Sequence, residues 1–206
     1  MIHNFFTEKR PHQGKTYTEF EELTKLYLEN TDPTTLDTSE KTRYDYRKLN
    51  RQRTQRILKT FKPDAEITEI IKSISTPRVW MVLTEDWCGD SAQNLPYIAK
   101  LAELNEMITL RILERDKNLD IMDIYLTDGK SRSIPKLVVF SEEGEELFQW
   151  GPRPKEAIEM IKNWKAEGLS KDEWTPKLHM WYAKNKGAAV VSEMKELVAK
   201  SVSVEV

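Results

Sequence analysis

The chain has 206 residues, of which 39% are hydrophobic and 32% charged, the composition of a soluble globular protein with one domain and sizeable extensions, or at most two small domains. The net charge of -2 offers no basic excess to hold a phosphate backbone, which sets nucleic acid aside as a main partner. No apolar stretch approaches the roughly 18 residues of a spanning helix, so no membrane segment is expected. Met1 to Gln13 is mixed and polar, without an apolar run before a small-residue cleavage site, and the single cysteine rules out an intrachain disulfide. Together these point to a reducing cytoplasm. No internal repeat appears.

The first third reads as helical. Thr18 is placed to cap a helix through Phe20, Leu23, Leu26 and Tyr27, whose spacing puts the apolar side chains on one face, and Asn30-Thr31-Asp32-Pro33 breaks it. A second helix is expected from Ser39 to Phe61, with Tyr44, Leu49, Ile57, Leu58 and Phe61 as its apolar side. Its basic run of Arg43, Arg47, Lys48, Arg51, Arg53 and Arg56 reads as a solvated face paired with acidic neighbours, with binding of an anion or partner as the alternative. Asp64 to Ser73 forms a third helix with Ile67, Ile70 and Ile71 inward.

The pattern then changes. Arg78 to Thr84 is an almost continuous apolar run, suited to a strand buried on both faces. Glu85-Asp86-Trp87-Cys88-Gly89-Asp90-Ser91 follows, and then a helix with Leu95, Ile98, Leu101, Ala102 and Leu104 at helical spacing. Ile108 to Leu113 is a second strand, and Asn118 to Tyr125 a short helix, which together imply a parallel crossover. Ile134-Pro135 leads into a third strand, Lys136 to Phe140. Glu145 to Trp150 completes a hairpin. After Gly151-Pro152, Pro154 opens a helix with Ala157, Ile158, Ile161 and Trp164 inward. Thr175 and Pro176 read as the cap and first residue of a further helix with Leu178, Trp181 and Tyr182 as its stripe and Gly187 as its stop. Glu193 to Lys200 would make a last helix, and Val202 to Val206 would fray.

This order of elements resembles the thioredoxin fold, an α/β architecture with a central mixed sheet flanked by helices, here with helical N- and C-terminal extensions. Trp87-Cys88-Gly89-Asp90-Ser91 resembles that family's Trp-Cys-Gly-x-Cys site, Ile134-Pro135 its loop with a cis proline, and Gly151 the glycine after its last strand. The helical flanks resemble those of a bacterial thioredoxin-like group. The resemblance implies an N-terminal helical extension over 1–73, the thioredoxin-like domain over 74–166, and a C-terminal helical tail over 167–206 packed on it. The departures are specific. Ser91 stands where the second, resolving cysteine would be, Asp90 replaces a common proline, and Val82 and Ile112 occupy the places of the family's buried carboxylate and its companion lysine.

A cysteine at the amino end of a helix faces unpaired N–H groups and the positive end of the helix dipole, which favour a thiolate. Such places lower a thiol from near 8.5 to about 3.5–7.5. Asp90, Glu85 and Asp86 oppose this, and the expected balance is a modest lowering. Ser91, three residues on, lies on the same helix face, within hydrogen-bonding reach of the sulfur, but cannot resolve a mixed disulfide. The expectation is monothiol exchange. Cys88 is the nucleophile and Ser91 tunes it. Trp87, Gly89, Asp90, Ile134 and Pro135 frame the substrate, and the backbone of Ile134 is free to pair with an extended peptide. Arg132 and Ser133 are candidate substrate contacts or ordinary loop residues. Partners would be protein or peptide thiols and disulfides, or low-molecular-weight thiols such as glutathione; no cofactor or metal is expected, and the oligomeric state stays open. His179, beside an apolar stripe, reads as a satisfied structural histidine. The alternative is a redox-inactive thioredoxin-fold module that binds protein or peptide partners.

Overall fold

A computed structural model describes residues 2–203. A short helix α1 (Asn4–Thr7) is followed by α2 (Tyr17–Asn30), α3 (Thr38–Thr60) and α4 (Ala65–Lys72). Then come β1 (Arg78–Thr84), α5 (Gly89–Ala102), β2 (Ile108–Glu114), α6 (Leu119–Met122), β3 (Lys136–Ser141) and β4 (Glu146–Trp150). Helices α7 (Lys155–Ala166), α8 (Lys171–Asn185) and α9 (Ala188–Ser203) complete the described residues.

The sheet runs β2-β1-β3-β4. β1 is parallel to β2, pairing Arg78 with Ile108, and antiparallel to β3, pairing Val82 with Leu137. β3 and β4 form an antiparallel hairpin with an irregularity between Val139 and Phe140. All seven residues of β1 are buried, because both faces of the sheet are covered. Trp80 and Val82 point into one core with Ile67, Ile71, Leu95, Ile98 and Met194, drawn from α4, α5 and α9. Val79, Met81 and Leu83 point into the other, with Phe5, Phe6, Ile121, Met122, Ile134 and Cys88. A third cluster ties α7 to α8 through Ala157, Ile161, Trp174, Leu178 and Tyr182.

The strands and α5 lie where the apolar runs place them. The helical flanks need correction. Thr16, not Thr18, caps α2 through a reciprocal capping box with Glu19, and Asp37 does the same for α3 with Glu40. Leu23 and Leu26 of α2, and Leu49 of α3, are exposed; Thr24, Asn50 and Thr54 are buried instead. Phe20 and Ile57 do enter the core, but part of the inward side of each helix is polar and holds the loop that carries Cys88: Thr24, Arg47 and Asn50 all reach Asp86. Ile158 is likewise exposed. The expected helix over 118–125 is a 3-10 turn, Arg115–Lys117, and the single turn of α6, separated at Asn118, whose φ of -133° and ψ of 47° are not helical. Helix α8 begins not at Pro176 but after Ser170, whose capping box with Glu173 leaves Thr175 and Pro176 inside the helix. Helix α9 is longer than expected and includes Val202 and Ser203; the rest of the expected frayed end, 204–206, lies outside the described residues.

Candidate active site

β1 ends at Thr84, and the chain turns through Glu85–Trp87 before α5. Cys88 is the N-cap residue of α5, with extended backbone angles and a side chain that makes no cap bond. Its thiol instead donates to the carbonyl oxygen of Ile134 at 3.3 Å. The Ile134–Pro135 peptide is cis, as the family resemblance implied, and lies against the sulfur. The Ile134 carbonyl expected to await a peptide is therefore occupied in this state. Cys88 is 9% exposed and borders a cleft of about 220 Å³ walled by Trp87, Asp90, Arg53, Arg153, Trp174 and His179.

The loop is held from several sides. The Arg47 Nε donates to Asp86 Oδ1 at 2.7 Å, and Asn50 Nδ2 to the Asp86 carbonyl at 3.1 Å. The Glu85 carboxylate accepts the Asp116 N–H at 2.8 Å. Trp87, half-buried, has the guanidinium groups of Arg43 and Arg115 over its ring, 5.3 and 5.2 Å from the ring centroid.

Asp90 is the electrostatic centre. Arg153 Nη2 lies 2.5 Å from Asp90 Oδ2, and the Tyr182 hydroxyl donates to Asp90 Oδ1 at 2.9 Å. Asn94 Nδ2 donates to both the Tyr182 hydroxyl and the Asp90 carbonyl. Burial works against the Arg153 charge, but Asp90 outweighs it and holds the guanidinium above its ordinary value. Gly151, at φ +114°, packs against the cis-proline loop: a Cβ there would stand 2.2 Å from the Pro135 carbonyl oxygen.

The Cys88 thiol is pushed up, not modestly lowered. Burial is the main cause and the Asp90 charge the second; the Ser91 hydroxyl and the N–H groups of Ser91 and Asp90 pull the other way without prevailing. The helix-end argument is sound in sign, but it leaves out desolvation, which no reading of local sequence supplies. Ser91 serves a second partner as well, its hydroxyl 2.5 Å from that of Thr84. Val82 and Ile112 are fully apolar and buried in the other core, so no carboxylate or lysine stands at either place.

Of the site residues expected from sequence, Trp87, Cys88, Gly89 and Asp90 line the cleft, Ile134 and Pro135 meet the sulfur, and Ser91 sits one turn along α5. Arg132 stays outside, paired with Asp123 at 2.6 Å. Arg153, Tyr182, Arg53 and His179 join the site from distant segments. The signal for Arg153 was Asp90 itself: a carboxylate at a helix start beside a buried cysteine needs a cation, and Arg153 follows directly on the Gly151-Pro152 turn.

His179 is not a satisfied structural histidine. Its Nδ1 is buried without a hydrogen-bond partner, and burial, aided by Arg53, drives its pKa down to about 4. The unfolded chain titrates near 6.5, so between about 6.5 and 4 it binds a proton that the folded protein refuses. The His179 contribution to stability is expected to be complete above that window and lost as pH falls through it. Urea midpoints for the protein and for His179→Gln, compared across the window, should converge toward its acid end.

A central sheet of this order, with a cysteine at the head of the first crossover helix facing a cis proline, defines a thioredoxin fold. A family model described as thioredoxin matches residues 37–165, and the chain belongs to that family. No curated protein matches the chain. Among solved structures, a protein of unknown function from Pseudomonas aeruginosa is similar, with a TM-score of 0.58 and 18% identity over 91% of this chain and 93% of that one. An HIV epitope-scaffold is similar at a TM-score of 0.57 and 18% identity, over 93% of this chain and 96% of its own. At that identity these likenesses speak to the fold alone.

Proposed function

We propose that the protein performs monothiol thiol–disulfide exchange through Cys88, with the free protein holding the sulfur as a protonated thiol. The observation that carries this reading is the placing of the sulfur at the edge of the cleft, beside Ile134-Pro135, with the N–H groups of Asp90 and Ser91 and the Ser91 hydroxyl favouring its thiolate. In the exchange, Cys88 loses its proton to solvent and its thiolate attacks one sulfur of R–S–S–R′. A Cys88–S–S–R bond forms and R′S⁻ leaves to take up a proton. Ser91 has no sulfur with which to finish, so an external thiolate R″S⁻ must attack the R sulfur, releasing R–S–S–R″ and the Cys88 thiolate. Protein or peptide disulfides and low-molecular-weight thiols are the partner class, and a reducing cytoplasm suits a single thiol.

Incubating the protein with glutathione disulfide from neutral to mildly alkaline pH tests this by intact mass. One glutathionyl adduct, removed by added thiol and absent in Cys88→Ser, is expected. Its formation should quicken with pH well past neutrality, because the thiol is raised. No adduct at any pH where the fold persists would overturn it.

A second reading, a redox-inactive binding module, draws support from the thiol's bond to the Ile134 carbonyl and its upward shift. It expects partner binding to survive Cys88→Ser unchanged.

A further inference from the structure

The cleft beside Cys88 does not end there. A second hollow of about 710 Å³ lies between α3 and α8, and the two share Tyr46, Arg53, Thr175 and His179 as walls. On the α3 side the lining residues Leu49, Gln52, Arg53 and Arg56 follow one face for two helical turns, about 10 Å at 1.5 Å per residue. That length matches about three residues of extended chain at roughly 3.3 Å each. The rim is apolar and open: Tyr46, Leu49 and Met180 are 52%, 42% and 60% exposed. The groove is long and continuous with the site, which suits a strand of polypeptide better than a compact small molecule.

Its charge is one-sided. Lys41 and Arg47 of α3 are matched, to Asp45 and Asp86, but not every cation of the helix is. Among the described residues, no carboxylate lies within ion-pair distance of Arg53, Arg56 or Lys171, all of which line the groove or the adjoining cleft. Arg53 is half-buried and, among the described residues, its side chain bonds only the Asn50 side-chain oxygen, at 3.1 Å. The one acid in either lining, Asp90, is already held by Arg153 and Tyr182. A half-buried guanidinium without a contacting carboxylate gains from an arriving one, which it can grip through two parallel hydrogen bonds.

We propose that the groove between α3 and α8 binds an acidic, extended peptide segment of a partner protein, with carboxylates on Arg53 and Arg56 and apolar side chains against Tyr46, Leu49 and Met180, and so delivers the partner's disulfide to Cys88. The delivery rests on the exchange reading above; the groove's choice of an acidic peptide does not.

The test uses the full chain and two fluorescein-labelled, cysteine-free peptides, Glu-Leu-Glu-Leu-Glu-Leu and Lys-Leu-Lys-Leu-Lys-Leu, with binding read by fluorescence anisotropy. The glutamate peptide is expected to bind, to weaken with added salt, and to weaken about tenfold in the Arg53→Gln, Arg56→Gln double variant. The lysine peptide should bind at least tenfold more weakly than its glutamate counterpart. Equal binding of the two peptides, or an affinity indifferent to salt, overturns the proposal without reliance on the variant's folding. Adduct formation with glutathione disulfide is measured alongside. Peptide binding without any Cys88 adduct would leave the groove standing and remove the exchange reading; an adduct without selective peptide binding would do the reverse.

Discussion

Asp90→Asn is expected to lower the Cys88 pKa and speed its alkylation at neutral pH, about tenfold for every pH unit by which the thiol's titration falls. Asp90 is the second cause, after burial, of the raised thiol, and the one that a single substitution removes without reshaping the core. Asparagine keeps an oxygen for the Tyr182 hydroxyl, so α8 stays tied to α5. Arg153, freed of its counter-ion, then acts on the sulfur as an unopposed positive charge, in the same direction. The rate of iodoacetamide alkylation against pH is the measurement: its inflection should move to lower pH in the variant. An unmoved inflection would mean that Asp90 exerts no control over the thiol. Breaking the pair should also cost stability, about 2 kcal/mol, because the Asp90 and Arg153 side chains are only 11% and 25% exposed. A variant at once more reactive and less stable is the signature of a carboxylate retained for restraint.

Gly151→Ala is expected to be the most damaging small substitution near the site, at about 3 kcal/mol or more. Two penalties combine there. A φ of +114° is a conformation that side-chain-bearing residues rarely adopt, and the new methyl would stand 2.2 Å from the Pro135 carbonyl oxygen, which is backbone and cannot swing away. Relief requires the Gly151 turn or the Pro135 loop to shift, which moves the wall facing Cys88. Gly168→Ala supplies the comparison, with φ +87° but nothing within 4 Å of the added carbon. It should lose about 1 kcal/mol, the conformational penalty alone. Denaturant midpoints separate the two; similar losses would show that the contact with Pro135 is dispensable.

Much of this molecule is legible in its sequence, and the parts that are not share a cause. β1 declares itself by an apolar run, and α5 by the spacing of Leu95, Ile98, Leu101 and Ala102, because burial against a sheet follows simple periodicity. Helices α2 and α3 mislead in part: Phe20 and Ile57 are buried as their spacing suggests, but other inward positions make hydrogen bonds to the Asp86 loop, so that Thr24 and Asn50 lie inside while Leu23 and Leu49 face water. The head of α8 misleads because Pro176 is a strong local sign of a helix start, yet the Ser170–Glu173 box satisfies the first N–H groups a turn and a half earlier. At the site, chain position identified Cys88 and its proline. Cys88 is buried in a cluster drawn from α1, β1, β2, α6, the Ile134 loop and β3, so the desolvation of its sulfur is a long-range property that no window of neighbouring residues contains.

The grip on Trp87 has a mechanical consequence. With both Arg43 and Arg115 over the Trp87 ring, and Asp86 fastened to α3, the cysteine-bearing loop is an anvil. Helix α8 is tied by the Tyr182–Asp90–Asn94 bonds to the start of α5, brings His179 beside Gly89, and packs its apolar side on α7. Of the two walls of the mouth, α8 is the one held by fewer bonds, so substitutions that loosen it at Tyr182 are expected to change guest size preference before substitutions in the clamped loop do.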